Sequence, residues 1–198
     1  RDIMPTRKKI LPSHANKLAQ LHLATLPASL PAQLGMRYLV RFYQSVEGSR
    51  DEIILSEMQQ NELVGGLLLS FAPETLSRRI VFNTILAFAP AFAVRFLTIA
   101  KFRQQFIEAI IYGSHEPEPE IAYLFVAPSQ QGKGIGRRLV QSAIDIAKAR
   151  NYRKIYVKSL ADNSDGAKLF YTALGFQKTK VGKGGSTEFI SYSRNFDD

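Results

Sequence analysis

Three glycines stand at alternate positions in Gln131-Gly132-Lys133-Gly134-Ile135-Gly136-Arg137. The stretch follows a run at 121–126 rich in Val, Ile, Phe and Tyr, which reads as a buried strand. It opens a segment at 135–150 whose Leu139, Val140, Ala143, Ile144 and Ala147 recur at helical spacing. At such a strand-to-helix turn the free N–H groups and the positive end of the helix dipole form an anion site. Glycines there let the backbone approach a bulky anion such as a pyrophosphate without a Cβ in the way. Two nucleotide loops are excluded by counting. G-x-x-x-x-G-K-[ST] has no match, because Gly136 is followed by Arg137 and Arg138, and G-x-G-x-x-G fails because its last position falls on Arg137 or Leu139.

Downstream, 154–158 alternates as a strand, and Asn163 sits in a polar turn before a short helical run at 167–174. Gly175-Phe176 then reads as a Schellman-type stop, glycine just past the helix end followed by an apolar residue. The loop matches [QR]-x-x-G-x-[GA], and the segment after it matches N-x-x-x-A-x-x-x-Y-x-x-x-G-F. Together they span 120–176 and resemble the coenzyme-A-binding core of the GNAT (Gcn5-related) N-acetyltransferases.

The resemblance implies an α/β fold with a mixed, mostly antiparallel central sheet flanked by helices. It implies acetyl-CoA as cosubstrate and a primary amine, on a small molecule or a peptide, as acceptor. Direct attack in a ternary complex is the expected route. By the same resemblance the loop-bearing strand is splayed from its neighbour, so that N–H groups of Leu124 and Val126, flanking Phe125, face the pantetheine arm and thioester. Gln131, Gly132, Lys133, Gly134, Ile135, Gly136 and Arg137 would hold the pyrophosphate. Tyr171 matches the tyrosine beside the coenzyme sulfur, suited to protonate the departing thiolate; taken alone it is equally a packed helix tyrosine. Asn163 matches a pantetheine contact, and would serve as well as a helix cap. Glu120, eleven positions before Gln131, has the offset of the general base in Gcn5-type enzymes. It also belongs to a Pro-Glu repeat that fits a solvated turn.

With 198 residues and 45% apolar content, one domain over 1–198 is the expectation. Cysteine is absent, which excludes disulfides, thiolate metal sites and a cysteine acyl intermediate. His14, His22 and His115 show no metal spacing, and no metal is expected. The formal charge of +9 attracts a polyanionic coenzyme as well as any other anion. The basic residues form no run or arginine–aromatic repeat that would favour nucleic acid. No secretory signal is visible, and a cytoplasmic location is expected.

The elements needed to position this chemistry can be read in outline. An edge strand is expected at 6–11, then a helix from Pro12 with Ser13 as N-cap and Ala15, Leu18, Ala19 and Leu21 inward. A second helix over 32–46 and a hairpin from 52–56 to 63–72, turning at Gln60-Asn61, complete the front half. The segment 73–119 departs from a minimal pattern: it is strongly apolar and expected to be a helical insertion. Pro90 divides it into two helices, the second carrying Phe92, Phe96, Ile99, Phe102, Phe106 and Ile110 as a stripe. Packing on the core, a homodimer contact or a peripheral membrane contact would each cover that surface, and a membrane span conflicts with Arg95 and the central proline. Gly182-Lys183-Gly184-Gly185 reads as a hairpin connection. The alternative to an enzyme is a coenzyme-A-binding module without turnover, acting through the insertion.

Overall fold

Gln60 and Asn61 adopt positive φ, 49° and 65°, the geometry of a two-residue turn that matches strand twist. They join β1 (Glu52–Gln59) to β2 (Glu62–Ser70) in the expected hairpin. The structure, a computed structural model, describes residues 12–76, 92–111, 118–160, 164–184 and 187–196. The edge strand expected at 6–11, the cap at Ser13, Pro90 and Asn163 concern residues or side chains outside those described.

Among the described residues the sheet has six strands in the order β1-β2-β3-β4-β6-β5, with β3 Glu120–Val126, β4 Lys154–Leu160, β5 Gln177–Gly184 and β6 Thr187–Asn195. Every pairing is antiparallel except β3–β4. The sheet is therefore mixed and mostly antiparallel, with helices on both faces. Gly182-Lys183-Gly184, expected in a connection, lies inside β5 in register with Phe189, Glu188 and Thr187. Pairing to β6 supplies the backbone bonds there, and overrides the weak strand preference of glycine.

One face carries α1 (Pro12–Thr25), α2 (Leu30–Gln33) and α3 (Met36–Glu47). Ala15, Leu18, Ala19 and His22 share a helical stripe and are all at most 1% exposed. The single helix expected over 32–46 is two helices, because Gly35 takes φ 93°, which only glycine adopts freely. That break turns Tyr38, Leu39, Phe42, Tyr43 and Val46 inward along α3. The opposite face carries α6 (Ile135–Ala149), burying Ile135, Leu139, Val140, Ala143, Ile144 and Ala147. Each large aliphatic so placed contributes about 1.5–3 kcal/mol. Glycine at 65 allows the close approach: a Cβ there would lie 2.7 Å from Ile135 Cγ2. A Cβ at 66 would lie 2.5 Å from the Phe125 ring on the other face.

Between β2 and β3 the described residues include helical turns at 73–76 and the helices α4 (92–98) and α5 (Ala100–Ile111), the last packing on α2 and β5. Phe92, Phe96, Phe102 and Phe106 form one ring cluster, with Phe92 and Phe106 centroids 4.7 Å apart. Ile99 does not join them. The helix breaks at that residue and leaves it 40% exposed, so the continuous stripe expected through it is interrupted. Among the described residues no helix is long and apolar enough to cross a membrane.

His22 is more than a packing residue. It is fully buried, with Nδ1 2.5 Å from the Tyr43 hydroxyl and Nε2 2.7 Å from Ser29 Oγ. Ser29 is the N-cap of α2 and also accepts the Ala32 N–H. A neutral ring protonated at Nε2 satisfies the set: Tyr43 donates to Nδ1, and Nε2–H donates to Ser29. Burial raises the Tyr43 pKa, keeping it a donor, and lowers that of His22 from 6.5 to about 4. The folded state thus binds fewer protons than the unfolded chain between those values. Stability is full above the unfolded value of 6.5 and falls as pH drops toward about 4, by up to about 3 kcal/mol. Urea midpoints across this window should show that slope. In His22→Gln the slope should flatten and stability at neutral pH should fall by about 1–3 kcal/mol.

Candidate active site

β3 and β4 pair only at Glu120↔Tyr156 and Ile121↔Val157, then part. β4 is paired with β6 along its whole length, so it cannot turn to follow β3. On its other side β3 stays with β2, with Ala122 as an extra residue between Leu68↔Tyr123 and Leu69↔Ile121. Such a bulge bends the strand away. The Ala127 N–H bonds Val64 O at 2.9 Å, on the β2 side. Alternate residues of a strand direct their N–H groups to opposite edges, so those of Val126 and Leu124 face the gap. Val126 O accepts the Gln131 side-chain amide at 3.3 Å instead of a β2 donor, as that orientation requires. Phe125 stands apart from them. It pairs with Gly66, and its ring is buried against His22 and Tyr43 on the α1–α3 face.

At the wide end of the gap lies the glycine loop. A short 3-10 turn, Pro128–Gln130, leads to Gly132 and Gly134, both at φ 76°. Gly134 is the N-cap of α6 and offers no side-chain cap; the first N–H returned into the chain is that of Arg138, to Gly134 O at 3.0 Å. Those of Ile135, Gly136 and Arg137 point out of the helix end, where its dipole favours an anion. The Ile135 side chain serves packing, at 1% exposed. Lys133 Nζ is tied to Gln130 Oε1 at 2.9 Å, on the exposed side of the loop.

Arg138, which sequence reasoning missed, braces this loop. It donates to Lys133 O at 3.3 Å and to Glu57 Oε1 on β1 at 2.8 and 3.1 Å. Its partner is 81 residues away, and no local signal announces the pairing. A Cβ at Gly136 would lie 3.3 Å from the Phe170 ring and 3.8 Å from Val126 Cγ2. A larger side chain there enters the junction of loop, gap and α7 (Ser164–Thr172). Gly136→Val is therefore expected to raise the acetyl-CoA Kd at least about tenfold, about 1.4 kcal/mol, measured by calorimetry on the folded variant.

α7 ends as expected: Gly175 at φ 78°, Phe176 N–H to Tyr171 O at 3.0 Å and Gly175 N–H to Thr172 O at 2.9 Å, a complete Schellman motif. It sets the Tyr171 ring among Phe170, Phe176 and Tyr192, at 7% exposed. Burial and the neighbouring Tyr192 push the Tyr171 pKa well up, so its hydroxyl keeps its proton at any working pH.

At the narrow end Glu120 is buried, 9% exposed, and not in a solvated turn. Register places Glu52, Ser70, Glu120 and Tyr156 side by side across four strands. Ser70 Oγ donates to Glu52 Oε1 at 3.2 Å. Glu120 Oε2 has no hydrogen bond among the described residues, but lies 3.4 Å from Lys158 Nζ. Tyr123, whose hydroxyl burial and the nearby Tyr38 and Glu120 hold protonated, adjoins it. Among the described residues no three His, Asp or Glu are grouped to share a metal.

A parallel pair thus opens between the uncapped N-terminus of α6 at one end and a buried carboxylate at the other. The chain belongs to the acetyltransferase (GNAT) family, whose model matches residues 18–176. An uncharacterised N-acetyltransferase of Methanocaldococcus jannaschii is 42% identical over 65 residues, 33% of this chain and 28% of that protein. A GNAT-family acetyltransferase from Desulfovibrio desulfuricans superposes with a TM-score of 0.62 at 12% identity, over 94% of both chains. The PaiA N-acetyltransferase of Thermoplasma acidophilum, solved with coenzyme A, has a TM-score of 0.58 at 14% identity, over 96% of this chain and 97% of that one.

Proposed function

We propose that this protein moves an acetyl group from acetyl-CoA to a primary amine by direct attack, with both substrates bound together. The observation that carries the reading is the gap between β3 and β4 beyond Ile121↔Val157, which joins Glu120 to the N-terminus of α6. The residues present fit the coenzyme. N–H groups of Gly136 and Arg137 receive the pyrophosphate, and those of Leu124 and Val126 receive the pantetheine and the thioester carbonyl. Bound there, acetyl-CoA supplies an activated acyl carbon.

The rest falls to the chain's own groups. An amine arrives as an ammonium and must lose a proton to attack. Glu120, at the narrow end, accepts it directly or through a water. Tyr171 enters the reaction protonated and gives that proton to the departing thiolate, regaining one from solvent. Asn163, just before α7, would hold the pantetheine arm. The PaiA enzyme was solved with coenzyme A, and the shared fold supports placing the same ligand here.

Thiol release from acetyl-CoA, screened against polyamines, amino sugars, amino acids and peptide N-termini, tests the reading. Release that depends on an added amine supports it. Tight binding of acetyl-CoA with no release for any of them would reduce the protein to a binding module.

A further inference from the structure

An amine of the chain itself already stands against the carboxylate at the narrow end of the gap. Lys158 is the first residue of β4 beyond Val157, the last to pair with β3. Val157 is 2% exposed in the core on the α6 side, so alternation sends the Lys158 side chain to the opposite face. There Nζ lies 3.4 Å from Glu120 Oε2. The contact is an ion pair without an aligned hydrogen bond, since Oε2 accepts none among the described residues. The Lys158 side chain is 31% exposed, against 12% for Glu120, so the carboxylate is held in place while the ammonium has room to move. Across the gap, the bulge at Ala122 and the outward N–H of Leu124 mark the edge assigned above to the thioester.

We propose that Lys158 is a self-acetylation site, taking an acetyl group within the same molecule. The inference rests on the reading of the gap as the acetyl-CoA site. The ammonium of Lys158 passes a proton to the Glu120 carboxylate, and Nζ attacks the thioester carbonyl. A C–N bond forms, the C–S bond breaks, and the thiolate leaves and takes a proton. The products are Nε-acetyl-lysine and coenzyme A, with no oxidant or further reactant. Holding the two partners on adjoining strands substitutes for acceptor binding, and effective molarities of about 10⁵ M or more are reached when geometry is favourable. Acetylation also removes the cation beside Glu120. The carboxylate is then free for the ammonium of an external acceptor.

The experiment incubates the full chain with isotopically labelled acetyl-CoA and no added amine, digests it, and locates the label by tandem mass spectrometry. Lys158 should be labelled at least about tenfold faster than Lys148, Lys154 or Lys168, at a rate per molecule that does not change with protein concentration. Glu120→Gln should slow Lys158 labelling about tenfold or more and leave the other lysines alone. Excess coenzyme A should do the same in the unaltered chain, which keeps the test valid if that variant misfolds. Labelling of Lys158 no faster than of the other lysines, or unaffected by coenzyme A, overturns the proposal. Calorimetry on the same sample separates the two readings. Acetyl-CoA binding and amine-dependent release with Lys158 left bare overturn self-acetylation alone, whereas no binding overturns both.

Discussion

Glu120→Gln is expected to lower kcat/KM for the amine acceptor by about 10²- to 10⁴-fold while leaving the acetyl-CoA Kd unchanged. The substitution keeps the shape of a side chain that is 9% exposed and removes its charge, and with it both the capacity to take a proton and the ion pair to Lys158. Coenzyme affinity should not follow, because the cradle lies at the other end of β3, in the N–H groups that open α6. Steady-state rates at saturating acetyl-CoA and calorimetry on the same preparation separate the two quantities. A loss confined to acetyl-CoA affinity would reassign Glu120 to coenzyme binding. Unchanged rates would make it a structural partner of Lys158.

Tyr171→Phe should lower kcat by about 10²-fold with little change in acetyl-CoA Kd. The phenol is buried among Phe170, Phe176 and Tyr192, and its pKa is raised by burial and then by Tyr192. A raised pKa keeps the proton on the oxygen, so the pH profile of kcat should show no loss from this group below its ordinary value of 10. The ring itself packs as well in Phe as in Tyr, so stability should hold. A normal kcat, measured where chemistry limits turnover, would leave Tyr171 as a packing residue only.

The parts of this site legible in the sequence are those set by local rules. The glycine loop sits between an apolar run and a helical period, and both elements form where those patterns begin. Gly175-Phe176 stops α7 by a motif with a fixed spacing, and Gln60-Asn61 turns the hairpin at positive φ, which Asn61 tolerates. What escaped depends on distant neighbours. Gly35 lies in a segment with good helical period, and nothing in its flanks shows that the chain must turn there. Ile99 continues an apolar stripe by count but sits at a break between two helices.

The glycines of β5 look like a loop until β6 pairs with them. Glu120 reads as one of several exposed acids, since its burial is created by neighbouring strands and by Lys158 across a parallel pair. Arg138 reads as one of two adjacent arginines, and only the fold brings it to Glu57. His22 lacked any sequence partner because Ser29 and Tyr43 reach it from separate helices.

The most direct test of the gap between β3 and β4 is backbone amide hydrogen exchange with and without coenzyme A. In the free protein the N–H groups of Leu124 and Val126 face the gap, while that of Phe125 lies on the β2 side. On saturation with coenzyme A, exchange at Leu124 and Val126 should slow by about tenfold or more, the equivalent of about one new hydrogen bond each. Phe125, already bonded, should change little. Saturating coenzyme A that leaves Leu124 and Val126 exchanging as before, with new protection appearing at another edge of the sheet, would contradict the account.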